Sequence, residues 1–351
     1  MFAREFRKDV FRLENNLATK SKELNPKITD VLGIDFGSTS TKLVRLRKSG
    51  DSFSLVDADV MPAFELEEEG GDSKLNIPKK LNAPYVGAAV TGEDCHVRFM
   101  FISSSLNDAR AIQQRVGKSL SLGRDFRVGY SIVERGKDAL DHKVLAAAIP
   151  QIEVQNTRRL FTDPHASMIS MEISGLSALN SFSHTPAVQE AEGIVCYIEA
   201  GASSVFVSFF LNGALRLVRK FDHGSLYIQR RIQDVLNINE DDALTVLFED
   251  ANPLMDQSLD PISTMTQEIS ISCKFVERNE NSRIQKVYAS GGLSYSPYWS
   301  FTLSEIMGVE PEVWNPFEAN GISSYPKGVY GVESMFAPAV GAALALLLSD
   351  S

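Results

Sequence analysis

The chain has little cysteine, no excess of basic residues and no long apolar run. Its three cysteines, Cys95, Cys196 and Cys273, have no close partner in the sequence, which argues against a disulfide scaffold or a zinc knuckle. The formal net charge of −10 argues against a broad nucleic-acid surface, which requires a basic face. No apolar run reaches membrane-spanning length and no signal peptide opens the chain, so we expect a cytoplasmic protein.

What is present is the composition of a globular protein with a full core. Hydrophobic residues make up 44% and charged residues 23% of the 351 residues, as in ordinary globular domains. This length allows two domains. The most apolar terminal stretch, residues 340–348, is too short to span a membrane and predicts a buried helix.

Two stretches of the chain look like copies of each other. Residues 31–44 and residues 195–207 each begin as an apolar run, reach an acid and continue into a turn of small residues. The copies align at one constant offset. The aligned pairs are Asp35 with Glu199, Gly37 with Gly201, and Ser40 with Ser204.

The repeated motif has the chemistry of a phosphate-binding turn. An acid at the carboxyl end of a buried strand lies where ligands of open α/β sheets bind. Glycine lets the backbone approach a phosphate closely, and successive N–H groups in such a turn form an anion-binding concavity. Because a carboxylate repels phosphate, the pattern implies Mg²⁺, which binds one or two carboxylates together with water and phosphate oxygens. The repeat therefore predicts two facing domains that clamp a metal-bound nucleotide.

The same residues also have a simpler interpretation. A single copy fits an ordinary β-hairpin with a serine-rich turn, because short motif matches are often false positives. Two copies in matched context favour nucleotide binding, and each continues into a predicted hairpin, with turns at Ser49-Gly50-Asp51 and Asn212-Gly213. Lys42 is either a solvated strand lysine or a point-charge contact to phosphate.

Between the two copies, the pattern predicts a compact α/β block and a returning strand. Glu172 lies near the end of that returning strand. It either orients an attacking water through a hydrogen bond or is an exposed strand-end acid. The predicted strands are 85–91, 96–102, 126–133, 143–149 and 166–173, and the predicted helices are 107–120 and 151–161.

After the second copy, we expect helices that open at Gly224 and at Asn239, a long helix over 262–277 and a short strand over 286–289. The short strand ends in Ser290-Gly291-Gly292. A diglycine after a strand lets the backbone pass close to a flat or phosphorylated ligand, although many such turns use glycine for local reasons.

Two further segments carry no phosphate motif. Residues 1–29 form an amphipathic extension whose apolar residues fall on one helical stripe, and we interpret it as a helix that docks on the protein itself or on a partner rather than on a membrane. Residues 61–82 contain an acidic run and are predicted to be an exposed, solvated loop.

These motifs resemble those of the actin/Hsp70/FtsA ATPase superfamily. Residues 33–42 are similar to its first phosphate motif, 198–201 to its second, and 289–292 to its adenosine motif. Within the superfamily, the chain looks most like the PilM family of type IV pilus assembly. That narrower likeness is carried by residues 86–92 leading to 97–99, by 313–317 and by 336–344, and the whole resemblance covers residues 30–349.

The resemblance implies an α/β fold. It consists of two RNase-H-like (actin-like ATPase) domains, with a nucleotide cleft between them and an inserted FtsA/PilM-type α/β subdomain. The implied first domain comprises residues 30–84 and 165–190, the inserted subdomain 85–164, and the second domain 191–351.

The resemblance also implies ATP or ADP with Mg²⁺ as cofactors. Asp35 and Glu199 would hold the metal, and Glu172 and Glu199 would take catalytic roles. The nucleotide contacts carried over are Gly37, Ser38, Thr39, Ser40, Lys42, Gly201, Ala202, Ser203, Ser204, Gly291 and Gly292.

The sequence departs from the family pattern at its second phosphate motif. Glu199 stands where the family usually has Asp, and Ser204 stands where it usually has Thr. The extension before residue 30 is also atypical. We therefore expect nucleotide binding, with at most slow ATPase activity.

The implied partner is the short cytoplasmic tail of an inner-membrane protein, PilN in the PilM family. We expect such a tail to bind beside the inserted subdomain, between the segments 86–90 and 96–102. The protein would then be peripheral to the inner membrane through its partner. The pilus motor ATPase and a second copy of the chain are further implied partners; nucleic acid is not.

Three other functions remain open. An FtsA-like division protein shares most motifs but normally continues into a membrane helix, whereas this chain ends soon after residue 348. A sugar or acetate kinase shares both phosphate turns but needs a base and a substrate pocket. A scaffold that has lost its nucleotide is the third.

Overall fold

The computed structural model describes residues 28–64, 75–91, 94–103, 109–123, 125–136, 141–161, 166–249, 251, 254 and 261–349. The chain divides into two compact units. The first comprises residues up to 181, with 320–331 and the segment from 338, and the second comprises 182–319 and 332–337. The apolar stripe in residues 1–29 and the acidic run in residues 61–82 lie outside the described residues. The exposed loop predicted over 61–82 is wrong at its described ends, because Met61 and Pro62 belong to a strand and Leu81 is buried.

The strands agree with the predicted apolar runs to within a few residues. In chain order they are β1 (Asp30–Phe36), β2 (Ser40–Ser49), β3 (Ser52–Pro62), β4 (Tyr85–Val90), β5 (His96–Ile102), β6 (Phe126–Glu134), β7 (His142–Pro150), β8 (Ser167–Ile173), β9 (Ile194–Ala200), β10 (Val205–Leu211), β11 (Ala214–Phe221), β12 (Ile284–Ser290) and β13 (Pro311–Val313).

The helices follow the predicted pattern as well, and the long one predicted over 262–277 is α7. In chain order they are α1 (Ala109–Leu120), α2 (Gln151–Arg159), α3 (Ser174–Ser183), α4 (Pro186–Gln189), α5 (Ser225–Leu236), α6 (Glu240–Phe248), α7 (Ser263–Glu280), α8 (Pro297–Met307), α9 (Pro316–Ala319) and α10 (Ala337–Leu347).

The first unit is built on a five-stranded sheet with the order β3-β2-β1-β4-β8. Strands β1, β2 and β3 pair antiparallel, and β4 and β8 add in parallel. The predicted turn between β2 and β3 is confirmed, with Gly50 at a positive φ of 61°. A separate three-stranded sheet, β5-β7-β6, follows β4 in the chain, and Ile112 and Val116 of α1 pack on it.

The second unit repeats the same sheet, with the order β11-β10-β9-β12-β13. Strand β9 takes the place of β1, and β10 and β11 form its hairpin. Asn212 and Gly213 both have positive φ, 52° and 76°, as a tight two-residue hairpin turn requires, so the predicted hairpin is confirmed. The internal repeat read from the sequence is thus a repeat of the whole sheet.

Helix starts in the second unit also lie where the sequence predicts them. Gly224 precedes α5, and the Asn239 side chain accepts a hydrogen bond of 2.9 Å from the Asp242 N–H at the start of α6. This contact satisfies one of the N–H groups that a helix start leaves without a partner.

Helix α10 lies directly against the sheet of the first unit. Gly33 of β1 and Gly87 of β4 are register partners. A Cβ on Gly33 would overlap the carbonyl oxygen of Ala339, and one on Gly87 would overlap that of Ala342. Glycine inside a strand is normally unfavourable, and here it allows two backbones to touch. The buried helix predicted over 340–348 is confirmed.

We therefore expect Gly33→Ala to lower the melting temperature of the protein strongly. The added methyl group has no room unless α10 moves, and overpacking of this kind costs about 1–3 kcal/mol or more. Gly117→Ala in α1 is the matched control, because no atom lies within 4 Å of the added Cβ. The control should be neutral or stabilising, since alanine favours helix over glycine by about 1 kcal/mol. Equal melting temperatures for the two variants would contradict the close contact.

Candidate functional site

The first phosphate-type turn joins β1 to β2 and depends on Gly37. Ser38 and Thr39 at its tip are exposed, and Ser40 begins β2. A Cβ on Gly37 would lie 2.6 Å from the Ser40 carbonyl oxygen and 2.9 Å from Lys42 Nζ. Only glycine fits such a turn without displacing its neighbours. The backbone of the turn is therefore held close to β2, and the exposed tip carries two hydroxyls, of which Ser38 Oγ lies 3.5 Å from Thr91 Oγ1.

Asp35 lies at the carboxyl end of β1 and is almost completely buried. The Ser174 hydroxyl donates a hydrogen bond of 2.6 Å to its Oδ1, and Lys42 Nζ lies 3.7 Å from its Oδ2. The pKa of Asp35 is raised overall, because burial outweighs the lowering effects of Lys42 and of the Ser174 hydrogen bond. Lys42 Nζ also donates to the Ser40 carbonyl at 3.3 Å, so the cation links the acid to the turn. Lys42 is buried, so the alternative that it is a solvated strand lysine is wrong.

Glu172 is brought to the same level of the sheet as Asp35. Asp35 pairs with Ala89, and Ala89 pairs with Glu172, so the two acids flank one β4 residue. Glu172 is 1% exposed, and the alternative of an exposed strand-end acid is therefore wrong. That alternative failed because sequence periodicity does not show that α3 covers the end of β8.

The Glu172 carboxyl group is poorly solvated and only partly hydrogen-bonded. Asn180 Nδ2 donates to its Oε2 at 3.0 Å, while Oε1 has no hydrogen-bond partner among the residues that the structure describes. Burial raises the pKa of Glu172 to about 8, against the lowering effects of Ser177 and Asn180. The carboxyl group consequently retains its proton at neutral pH.

The second phosphate-type turn joins β9 to β10 and is closed by its own backbone. The Gly201 N–H donates to the Ser204 carbonyl at 3.0 Å. A Cβ on Gly201 would lie 3.5 Å from that oxygen, an ordinary contact, so glycine is less essential here than at Gly37. Ser203 Oγ is buried and has no hydrogen-bond partner in the described part of the chain. Such an unpartnered hydroxyl is suited to a polar ligand.

The start of α5 packs onto this second turn. The Ser225 N–H donates to the Gly201 carbonyl at 3.0 Å, and the Leu226 N–H donates to the Ala202 carbonyl at 3.1 Å. A Cβ on Gly224 would overlap the Ala202 carbonyl oxygen. Gly224 is therefore part of the turn as well as the start of a helix, a role that the sequence alone did not indicate.

Glu199 occupies the position in β9 that Asp35 occupies in β1, but its neighbours differ. It is buried, and its pairing partners are Phe206 of β10 and Ser290 of β12. The equivalent partners of Asp35 are Lys42 and Ala89. The second acid thus has an aromatic residue at the position where the first has a lysine.

The two glycines that follow β12 differ in backbone conformation and in the space around them. Gly291 has a φ of 82°, and a Cβ on it would overlap the Ala200 carbonyl oxygen and lie 3.0 Å from Glu199 Oε1. Its N–H donates to the Ser334 carbonyl at 3.2 Å. Gly292 has open space around the position of a Cβ. Gly291 therefore brings the adenosine-type turn close to Glu199, and Ser334 is a neighbour that the sequence did not indicate.

The donor set fits Mg²⁺ better than a transition metal. In the described part of the chain, no three histidine, cysteine or acidic side chains come together. Mg²⁺ needs only one or two carboxylates when phosphate and water supply the other ligands. Asp35 of the first unit and Glu199 of the second are each a buried strand-end carboxylate of the kind that Mg²⁺ uses.

The structure has two sheet edges, β5 and β8, at which the predicted partner groove could lie. Residues 86–90 cannot line it, because β4 is hydrogen-bonded on both sides and its side chains are buried, so this prediction is wrong. Strand β5 does lie at a sheet edge, and Phe101 on it is 70% exposed. A cavity of about 550 Å³ adjoins its first residue, His96, and is lined further by Asp94, Asp125, Phe126, Pro150, Gln151, Ile152 and Gln155.

The second edge is β8, which pairs only with β4 among the described strands. A cavity of about 40 Å³ lies beside it, little more than the volume of a water molecule. Arg127 of β6 and Arg158 of α2 are opposite β8 across this space.

None of the described helices is long and apolar enough to cross a membrane.

Comparison with solved structures identifies the fold. The chain is similar to a protein of a "PilM-PilN type IV pilus biogenesis complex", with a TM-score of 0.72 and 18% identity over 92% of this chain and 99% of that one. The ethanolamine utilization protein EutJ from Carboxydothermus hydrogenoformans gives a TM-score of 0.45 at 14% identity, covering 92% of this chain and 91% of that one. Apo pSK41 ParM gives 0.40 at 12%, covering 92% and 98%. No family model and no curated protein matches the chain.

The chain therefore has a PilM-like, actin-like ATPase fold, which confirms the predicted fold class. The repeated sheet order in its two units is the internal evidence for the same conclusion. At this level of identity the likeness establishes the fold and leaves the activity to be argued from the site.

Glu172 provides a test of the site through pH. Its folded pKa of about 8 exceeds the ordinary glutamate value of 4.5, so the folded chain keeps a proton that the unfolded chain releases. The wild-type protein should therefore lose stability as the pH rises from about 4.5 to about 8. Glu172→Gln cannot ionise and should lose less across that range, as measured by melting temperature. The exposed Glu310→Gln is the control and should follow the wild type; a Glu172→Gln curve parallel to both would contradict a protonated Glu172.

Proposed function

We propose that the chain is a PilM-like, nucleotide-binding adaptor of a type IV pilus or related inner-membrane assembly platform. The observation that carries this proposal is the PilM-like fold over nearly the whole chain. Its two strand-end acids and three glycine turns are the internal support. The adaptor binds ATP or ADP and the cytoplasmic tail of a membrane protein.

The nucleotide is held by the two phosphate turns and the adenosine-type turn. The tip hydroxyls and N–H groups at Ser38 to Ser40 take phosphate oxygens, together with the buried hydroxyl of Ser203. Lys42 supplies a point charge from beneath the first turn. Asp35 and Glu199 hold Mg²⁺, and Gly291 and Gly292 let the backbone approach the adenosine. Nucleotide binding is supported by one feature of each turn. Gly37 lets the backbone of the first turn close onto Ser40 and Lys42, and in the second turn Ser203 Oγ has no hydrogen-bond partner among the residues that the structure describes.

Binding is better supported than hydrolysis. Glu172 lies at the level of Asp35, and because its pKa is raised to about 8 the protonated form predominates at neutral pH, so it donates a hydrogen bond to water more readily than it takes a proton from it. Glu199 adds one methylene to the usual aspartate, which loosens the position of its carboxylate. We therefore infer turnover far below the common enzyme range of about 1 to 1000 per second.

The partner tail binds in extended form along β8. Strand addition supplies backbone hydrogen bonds, and alternate side chains enter pockets beside the strand. The β8 edge is favoured because it faces Arg127 of β6 and Arg158 of α2. The cavity there is too small for a side chain, so α2 and β6 must move away from β8 when the tail binds. Nucleotide controls the tail only if it favours one of these two arrangements.

Association with the inner membrane follows from this partner. The protein itself is peripheral and is recruited by the membrane protein's tail. A partner of the PilN kind is supported by the similarity of fold to a protein of the PilM-PilN complex. The edge of β5, with exposed Phe101 and the larger cavity at His96, is the second candidate for the same tail.

Calorimetry tests the nucleotide site. Asp35→Ala should weaken the affinity for ATP with Mg²⁺ at least tenfold, which corresponds to about 1.4 kcal/mol, because a metal contact is lost. In EDTA the difference between variant and wild type should shrink, since no metal bridges the acid to the phosphates. Asp51→Ala, in the exposed β2–β3 turn, is the control. Unchanged affinity in a folded Asp35→Ala protein would refute the metal role, and a wild type that binds no ATP would leave the scaffold alternative.

Two edge substitutions test the partner site. Ile169→Lys puts a charge on the half-buried face of β8 beside the small cavity, and it should weaken binding of the partner's tail peptide at least tenfold. Phe101→Lys on β5 is matched in chemistry and should leave the affinity unchanged. Fluorescence anisotropy with a labelled tail measures both. The reverse result would move the tail to β5, and loss in neither variant would contradict strand addition at both edges.

A further inference from the structure

Each of the two oxygens of the Asp35 carboxyl group has its own contact. Ser174 donates to Oδ1 at 2.6 Å, and Lys42 Nζ lies 3.7 Å from Oδ2. The two contacts come from different elements, since Lys42 is on β2 and Ser174 is the first residue of α3. All three residues are less than 10% exposed. The acid is therefore fixed from two directions inside the protein.

The contact with Ser174 is the stronger of the two by geometry. A hydroxyl–carboxylate distance of 2.6 Å lies in the range of charge-assisted hydrogen bonds, which are about twice as strong as neutral ones. A rotation of the Asp35 side chain would break it. The ammonium group at 3.7 Å is beyond hydrogen-bond distance and allows more movement. Ser174 thus determines which way the carboxylate is turned.

With Oδ1 occupied by the hydroxyl, Oδ2 is the oxygen on the Lys42 side, and Lys42 also contacts the phosphate-type turn at Ser40. Mg²⁺ demands near-ideal octahedral geometry, so it tolerates little movement of a ligating carboxylate. Residues that orient metal ligands contribute to metal affinity without touching the metal.

We propose that Ser174 is a positioning residue that orients Asp35 toward the metal-bound nucleotide. This inference rests on the proposed nucleotide site. It assigns to the first residue of α3 a role in metal-dependent binding. Its effect acts through Asp35, and it should therefore disappear when Mg²⁺ is absent.

Ser181 supplies a matched control within the same helix. It is also buried, and its hydroxyl donates at 2.7 Å to the Ala178 carbonyl, a contact within the helix itself. Ser181→Ala and Ser174→Ala each remove one buried hydroxyl and one hydrogen bond. Their effects on stability should be similar, whereas only Ser174→Ala should change the metal dependence.

The experiment measures ATP affinity by calorimetry, with Mg²⁺ and with EDTA, for the full-length wild type, Ser174→Ala, Ser174→Thr and Ser181→Ala. Ser174→Ala should lose about tenfold in affinity with Mg²⁺, the lower end of the range for residues that orient metal ligands, and nothing in EDTA. Ser174→Thr keeps the hydroxyl and should restore most of the loss. Ser181→Ala should match the wild type in both conditions.

The outcomes separate this inference from the function on which it rests. A wild type that binds no ATP refutes the proposed function and the role of Ser174 with it. A wild type that binds ATP, with an equal loss for Ser174→Ala in Mg²⁺ and EDTA, shows a structural role and overturns only the positioning role. If Ser174→Thr fails to fold, the comparison of the two alanine variants decides the question.

Discussion

Three buried acids at strand ends are the constraint on which the candidate site depends. Asp35, Glu172 and Glu199 are each 5% exposed or less. A buried carboxylate is costly unless it is paired, hydrogen-bonded or protonated. Asp35 is stabilised by Lys42 and Ser174, and Glu172 by retaining its proton. Because these environments differ, two acids on neighbouring levels of one sheet are held differently: Asp35 has a serine hydroxyl and a lysine ammonium beside its carboxyl group, and burial raises the pKa of Glu172 to about 8.

The internal repeat duplicates the sheet without duplicating the site. The two acids occupy equivalent positions, but the residue opposite Asp35 is Lys42 and the residue opposite Glu199 is Phe206. The first turn therefore has a cation of its own, and the second relies on backbone groups, a buried serine hydroxyl and the start of α5.

Much of the fold could be predicted because its signals are local. The Asn212-Gly213 turn, the Asn239 cap and the acid-ended apolar strands each depend on a few neighbouring residues, and the structure has them where the sequence indicates. The contacts that were missed join distant segments. Ser174 with Asp35, and Gly33 with Ala339, depend on which elements become neighbours. A glycine inside β1 was a signal for close backbone approach, but it did not indicate which helix would approach.

The two wrong predictions, for β4 and for Glu172, arise because the sequence does not show which segments become neighbours. The apolar run of β4 predicts one wall of the partner groove, whereas the sheet order places β4 between β1 and β8 as a central strand. Alternation and length identify a strand, but they do not show whether it is central or at an edge. The exposed alternative for Glu172 failed in the same way, because the residues that bury it come from α3 and are not visible in the pattern of β8.

The most direct test of the account is a crystal structure of the chain with Mg²⁺ and the nonhydrolysable ATP analogue ADPNP. The account predicts phosphate density against the turn at Ser38 to Ser40 and against Ala202 to Ser204, with the metal coordinated by Asp35 directly or through water. Nucleotide bound elsewhere, or both turns empty at saturating ADPNP, would contradict it.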